Sequence, residues 1–186
     1  MLELPTMTAK IPRAAGLLLG LFLLAGCDNN TPLMQAVMHE DLAEAQKLVA
    51  EGDVNARNNF NWTALTHAAR TGNTELITLL LDRGADINAQ DESGATPLIR
   101  ASTRGHTDAV KLLLARGAAV NLPDRSQSTA LHWAAIRDHI DIVQALIAAG
   151  ADLSARNAQG MTPMMAAMNK GRNNIALLLQ RAGARE

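Results

Sequence analysis

The sequence predicts an all-α solenoid of about five helix-turn-helix units joined by hairpin-like loops, and three observations carry that prediction. Threonine recurs at Thr31, Thr63, Thr96, Thr129 and Thr162, at spacings of 32, 33, 33 and 33 residues, a period that belongs to repeat architectures. Ala and Leu dominate, aromatics make up 2% of the chain and tyrosine is absent, so the core must come from small and aliphatic side chains, mostly on helices. Glycine closes four of the periods, at Gly52, Gly84, Gly117 and Gly150, where a left-handed residue ends a helix without a Cβ to oppose it.

Each unit reads in the same order. It opens on a first helix: TPLMQAV from Thr31, TALTHAA from Thr63, TPLIRAS from Thr96, TALHWAA from Thr129 and TPMMAAM from Thr162. Threonine caps that helix and proline, where present, is pre-set for its first turn; the small Ala-Ala pair lets neighbouring units approach. A second apolar helix follows: AEAQKLVAEG, ELITLLLDRG, DAVKLLLARG, DIVQALIAAG and NIALLLQRAG. Its Leu and Ile fill the space between units. Four units then run into a turn, GDVNARN, GADINAQD, GAAVNLPD and GADLSARN, in which Asp or Asn sends the chain out and back.

At these residues the chain resembles the ankyrin repeat family, whose pattern G-x-T-P-L-H-x-A-A, then G-H, an apolar helix and L-L-L-x-x-G-A-D-x-N-A, is matched from Thr31 to Ala184. The resemblance divides residues 31–186 into repeats at 31–60, 61–93, 94–126, 127–159 and 160–186. Three departures stand out. The first repeat lacks a residue after Gly52, the last stops after Ala184 with no following loop, and Asp138 stands where the pattern has glycine. The two ends are expected to act as caps, since an end repeat has one neighbour.

Ahead of the repeats, residues 14–26 (AAGLLLGLFLLAG) form an apolar run behind Lys10 and Arg13. This is the layout of a signal peptide, and the run is short for a membrane span, which needs about 20 apolar residues. Glu3 and Pro5 fit such a leader poorly, so translation is expected to begin at Met7. Leu24-Ala25-Gly26-Cys27 resembles the lipobox of bacterial lipoproteins. That resemblance implies that residues 1–26 are removed, that Cys27 is lipidated, and that residues 27–30 tether the repeats to a membrane. Asp28 resembles an inner-membrane retention signal, with the outer membrane as the other destination. The implied location is the cell envelope, facing the periplasm.

Little else in the sequence carries chemistry. The single cysteine excludes an intramolecular disulfide and multi-cysteine zinc sites. His106 and His132 fall on histidine positions of the repeat, His139 shares the column of His106, and His39 and His67 have no ligand at metal spacing. No phosphate-binding loop and no G-x-S-x-G occurs. The net charge of −1 and the lack of aromatics interleaved with cations argue against nucleic acid. We therefore expect no catalytic residue, no metal, no cofactor and no enzyme activity, but a monomer that binds another protein.

The resemblance implies that partners meet the concave surface of loop tips and first helices. The tip positions are Phe60 and Trp62, Glu92 and Ala95, Arg125 and Ser128, and Gln159 and Met161. Phe60 and Trp62 are exposed anchors on one reading; on the other, Trp62 packs under the loop shortened at Gly52. Trp133 reads as a core or rim residue. Behind Ala-Ala, one column carries Arg104, Arg137 and Lys170, and with Arg70 and Arg100 it forms a basic stripe, read either as solvated surface or as a site for an acidic partner segment. Candidate partner-binding residues are thus Phe60, Trp62, Arg70, Arg100, Arg104, Arg125, Arg137 and Lys170. Charge also runs along the chain, from −3 in the first repeat to +3 in the fifth. Two roles fit: scaffold or helper of an envelope protein, which some periplasmic ankyrin proteins resemble in oxidative-stress defence, or immunity protein against a periplasm-acting toxin.

Overall fold

The computed structural model describes residues 29–185; the expected leader at residues 1–26 and the expected lipidation site Cys27 lie outside them. Among the described residues ten helices follow one another: α1 (Pro32–Met38), α2 (Leu42–Glu51), α3 (Ala64–Thr71), α4 (Thr74–Asp82), α5 (Pro97–Arg104), α6 (Thr107–Ala115), α7 (Ala130–Arg137), α8 (Ile140–Ala148), α9 (Pro163–Asn169) and α10 (Asn173–Arg181). There is no strand among the described residues. The odd-numbered helices stack in one row, α1 on α3, α5, α7 and α9, and α2, α4, α6 and α8 form a second row behind them. The result is the solenoid of paired helices that the period implies.

The recurring threonines are the first-helix caps. Thr31, Thr63, Thr96 and Thr162 each accept the N–H of the residue three positions on, which satisfies a donor the helix leaves open. In the fourth repeat the imidazole of His132 takes over part of this work. Its Nδ1 accepts the Thr129 N–H at 3.2 Å, and its Nε2 donates to the Met161 carbonyl of the next repeat at 3.1 Å. Those two fixed partners force the neutral ring with its proton on Nε2.

Between the rows, Leu76, Ile77 and Leu80 of α4, Val110 and Leu113 of α6, and Ile142, Val143 and Leu146 of α8 are wholly buried, three and four positions apart as one helix face requires. On the first helices the contact is made by small residues. Ala69, Ser102 and Ala135 occupy one column and are 0% exposed. Met168 holds the same column in α9 and is 49% exposed, with no helix stacked on it among the described residues. The Ser102 hydroxyl is buried there with no hydrogen-bond partner among the described residues.

Gly84, Gly117 and Gly150 end their helices left-handed, as expected. Gly52 does not: its φ is −117° and ψ 170°, an extended residue. With one residue fewer behind it, the chain leaves α2 straight into the Asp53 turn, where Asp53 Oδ1 accepts the Asn55 N–H at 2.8 Å.

The glycines after α3 and α5 have a second reason to be glycine. Gly72 and Gly105 are left-handed, and a Cβ on either would lie 2.5 Å from the His106 ring or 2.7 Å from the His139 ring of the following repeat. Asp138 takes the same left-handed conformation, φ 68°, because the residue beneath it is Arg172 in place of histidine. Arg172 Nη1 reaches Asp138 Oδ2 at 3.4 Å, and its Nε donates to the Ile136 carbonyl at 3.5 Å. His106 and His139 bond the matching carbonyls, of Arg70 and Thr103.

Candidate functional site

The loop tips are built by a second recurring residue, Asn58, Asp91, Asp124 and Asn157. In each, one side-chain oxygen accepts the N–H groups two and four positions on, at 2.8 to 3.1 Å, an Asx turn that folds the tip back. Neighbouring tips are laced together: Glu92 N–H donates to the Phe60 carbonyl, Arg125 N–H to that of Ser93, and Ala158 N–H to that of Ser126, at 2.8 to 2.9 Å. The tips therefore form a continuous wall above the first helices. Phe60 shares its column with Ser93 and Ser126, while Glu92 and Arg125 stand one position earlier.

Under that wall the first helices leave two adjoining hollows. One, of about 590 Å³, is lined by Asn30, Met38, Asn58, Phe60, Trp62, His67 and Arg70, among others. The other, of about 800 Å³, is lined by Ala95, Thr103, Arg104, Arg125, Trp133 and Arg137, and shares Trp62, Arg70, Glu92, Ser93 and Arg100 with the first. Together they make one groove across repeats one to four. Seven of the eight candidate residues, Phe60, Trp62, Arg70, Arg100, Arg104, Arg125 and Arg137, line it. Lys170 is exposed on the fifth repeat and lines neither hollow.

Trp62 is neither a free anchor nor a plug under the shortened loop. It is half-buried in the groove, with the Arg70 guanidinium 5.3 Å and that of Arg100 4.9 Å from its ring centre and the His67 ring tilted against it at 4.8 Å. Cations favour such a site because the face of an indole is electron-rich. The exposed apolar side chains beside it are Phe60, 49% exposed, and Met38, 37% exposed.

The arginines are not equivalent. Asp91, wholly enclosed, uses Oδ1 for the turn and Oδ2 for Arg100, whose Nε donates at 2.7 Å and whose Nη2 completes a forked ion pair. Such a fork fixes both charge and orientation. Asp124 builds the same turn and gives its Oδ2 to the indole N–H of Trp133 at 2.8 Å, which places Trp133 on the groove's rim. The Arg70 side chain has neither hydrogen bond nor ion pair among the described residues, and its Nε is shut off from water without an acceptor. A buried donor left unpaired costs about 1–3 kcal/mol. Arg104, Arg125 and Arg137 have no ion pair among the described residues either. Five arginines thus face Glu92 and Asp124 in the larger hollow, and its field is positive.

Two residues essential to this arrangement, Asp91 and Asp124, went unmarked in the sequence, although the Asn/Asp column repeats with the period of the threonines. Met38 also escaped notice as part of the first hollow. Burial holds His132 below its ordinary pKa of 6.5, against the Met161 carbonyl and more distant carboxylates, which favour the charged ring. The described residues contain no cluster of His, Cys, Asp and Glu suited to a metal, and no helix long and apolar enough to cross a membrane.

Among curated proteins none matches this sequence. A family model described as ankyrin repeats (three copies) matches at residues 14–91, 33–124, 88–157 and 125–185, which together span most of the chain, so the protein belongs to the ankyrin repeat family, whose stacked repeats serve as protein-protein interaction modules.

Proposed function

We propose that this protein is a periplasmic, lipid-anchored binding module whose groove takes an acidic segment of a partner, acting as scaffold or helper of an envelope protein. The observation that carries the reading is the groove itself. Five arginines line its larger hollow and four of them lack an ion pair among the described residues. A positive concavity with the exposed Phe60 and Met38 at one end favours an acidic, partly apolar partner and steers it in.

The anchoring part rests on the lipobox-like Leu24-Ala25-Gly26-Cys27 and on distance. Several acyl chains on Cys27 would hold the domain at a bilayer. Asn30 Oδ1 accepts from Asn58 Nδ2 at 2.7 Å, so the chain enters beside the tip that carries Phe60. Three residues extended cover about 10 Å, which brings the smaller hollow close to the membrane. Asp28 favours the inner membrane as the destination.

A photo-crosslinking residue placed at Thr103 of the full-length protein, followed by mass spectrometry of membrane fractions, tests the binding role. The expected product is an envelope protein, lost when Arg104 and Arg137 become glutamate. A secreted toxin as product replaces the helper role by immunity, and a product that survives the double substitution removes the groove from the mechanism. For the anchor, Cys27→Ser is expected to release the protein from membranes; equal membrane binding of that variant overturns it.

A further inference from the structure

We infer that the groove reads a partner segment in which one apolar side chain is followed by carboxylates, and that Arg70 is the residue that receives the first carboxylate. The inference rests on the protein-binding reading above and specifies what is bound.

The argument starts from the two hollows being different and continuous. The smaller presents the exposed Met38 and Phe60 beside the half-buried Trp62; the larger presents arginines. Arg70 lines both and stands at their junction. Its neighbour Arg100 is already answered by the enclosed Asp91, so it positions Trp62 but offers little free charge. Arg70 lies on the same ring with no carboxylate partner among the described residues and with Nε lacking an acceptor. A carboxylate arriving here meets the terminal nitrogens of Arg70, its Nε being shut off from the hollow, and gives that side chain the kind of ion pair that Arg100 already has.

Beyond the junction, Arg104 and Arg137 repeat at one position of successive repeats. Packed helices stand about 8–10 Å apart, and an extended chain rises about 3.3 Å per residue. A segment laid along the groove therefore meets a new arginine about every third residue. The register is apolar residue at Met38 and Phe60, first carboxylate at Arg70, and further carboxylates toward Arg104 and Arg137.

The test is to pan a library of random twelve-residue peptides against the full-length chain in detergent, then titrate enriched peptides by the fluorescence of Trp62 and Trp133, both of which line the groove. The expected peptides carry an apolar residue followed by two or more Asp or Glu about three positions apart. Binding is expected to weaken at least tenfold in Arg70→Gln, to be largely kept in Arg70→Lys, and to be unchanged in Lys170→Gln, with circular dichroism as the control for folding. Neutral or basic peptides that are blocked by Thr103→Trp, or acidic ones indifferent to Arg70→Gln, overturn this inference and leave the groove as the binding face. Peptides indifferent to Thr103→Trp, or no enrichment, overturn both. Sedimentation of Cys27→Ser with phosphatidylglycerol vesicles in an Arg70-dependent manner assigns the groove to lipid and overturns the peptide as its occupant.

Discussion

The steps from repeat two to three and from repeat four to five solve one backbone problem with different residues. In the first, Gly72 turns left-handed over the His106 ring, which would lie 2.5 Å from any Cβ. In the second, Asp138 makes the same turn over Arg172. A flexible, straight side chain leaves room that an imidazole occupies, and it supplies the charge that the extra carboxylate pairs with. The lesson is that left-handed backbone alone does not require glycine in this solenoid; the ring of the next repeat does. Repeat five sharpens the point, since nothing lies within 4 Å of a Cβ on Gly171.

The largest effect should come from Gly72→Ala, which meets both the left-handed penalty and the His106 ring. We expect a loss of about 3 kcal/mol by urea unfolding, and a smaller loss when His106→Ala is added; equal losses would remove the ring from the explanation. Gly171→Ala, at φ 70°, faces the left-handed backbone penalty alone, about 1 kcal/mol. At the next contact between those helices the sign reverses. Ser102 sits in the column of Ala69 and Ala135 with an unpaired hydroxyl, so Ser102→Ala should stabilise by about 1 kcal/mol, and a loss would reveal a partner for that hydroxyl.

The smallest effect is a pH dependence that belongs to repeat four. His132 titrates below 6.5 when folded, so the unfolded chain binds the proton more readily. Stability contributed by this residue is complete above about pH 6.5 and declines as pH falls from there toward the folded pKa, where the charged ring no longer accepts the Thr129 N–H. Urea midpoints should fall over that window in the parent protein and fall less in His132→Gln.

Much of the molecule was legible because a repeat states its own rules several times. The threonine caps, the Ala-Ala contacts and the Leu/Ile face recur at fixed spacing, and each follows from local geometry that every copy shares. Gly52 was misread because its neighbours make it extended, one missing residue changing the exit path from α2. The candidate site was legible as a set of columns but not as a groove. Arg104, Arg137 and Lys170 are equivalent in sequence, yet the hollow under the tips covers only the first two.

What the sequence determined by itself is the number and order of helices, the residues that cap them and the surface on which cations collect. These are properties of one repeat and its period. The tertiary structure alone decided which arginines are already satisfied. Asp91 and Asp124 build identical turns, and only stacking shows that the second oxygen of one holds Arg100 and that of the other holds Trp133. Charge pairing depends on distances of a few ångströms between side chains nine positions apart and in adjacent repeats, and no period in the sequence encodes those distances. That is why Arg70, one cation among seventeen Lys and Arg in the sequence, stands out only in three dimensions.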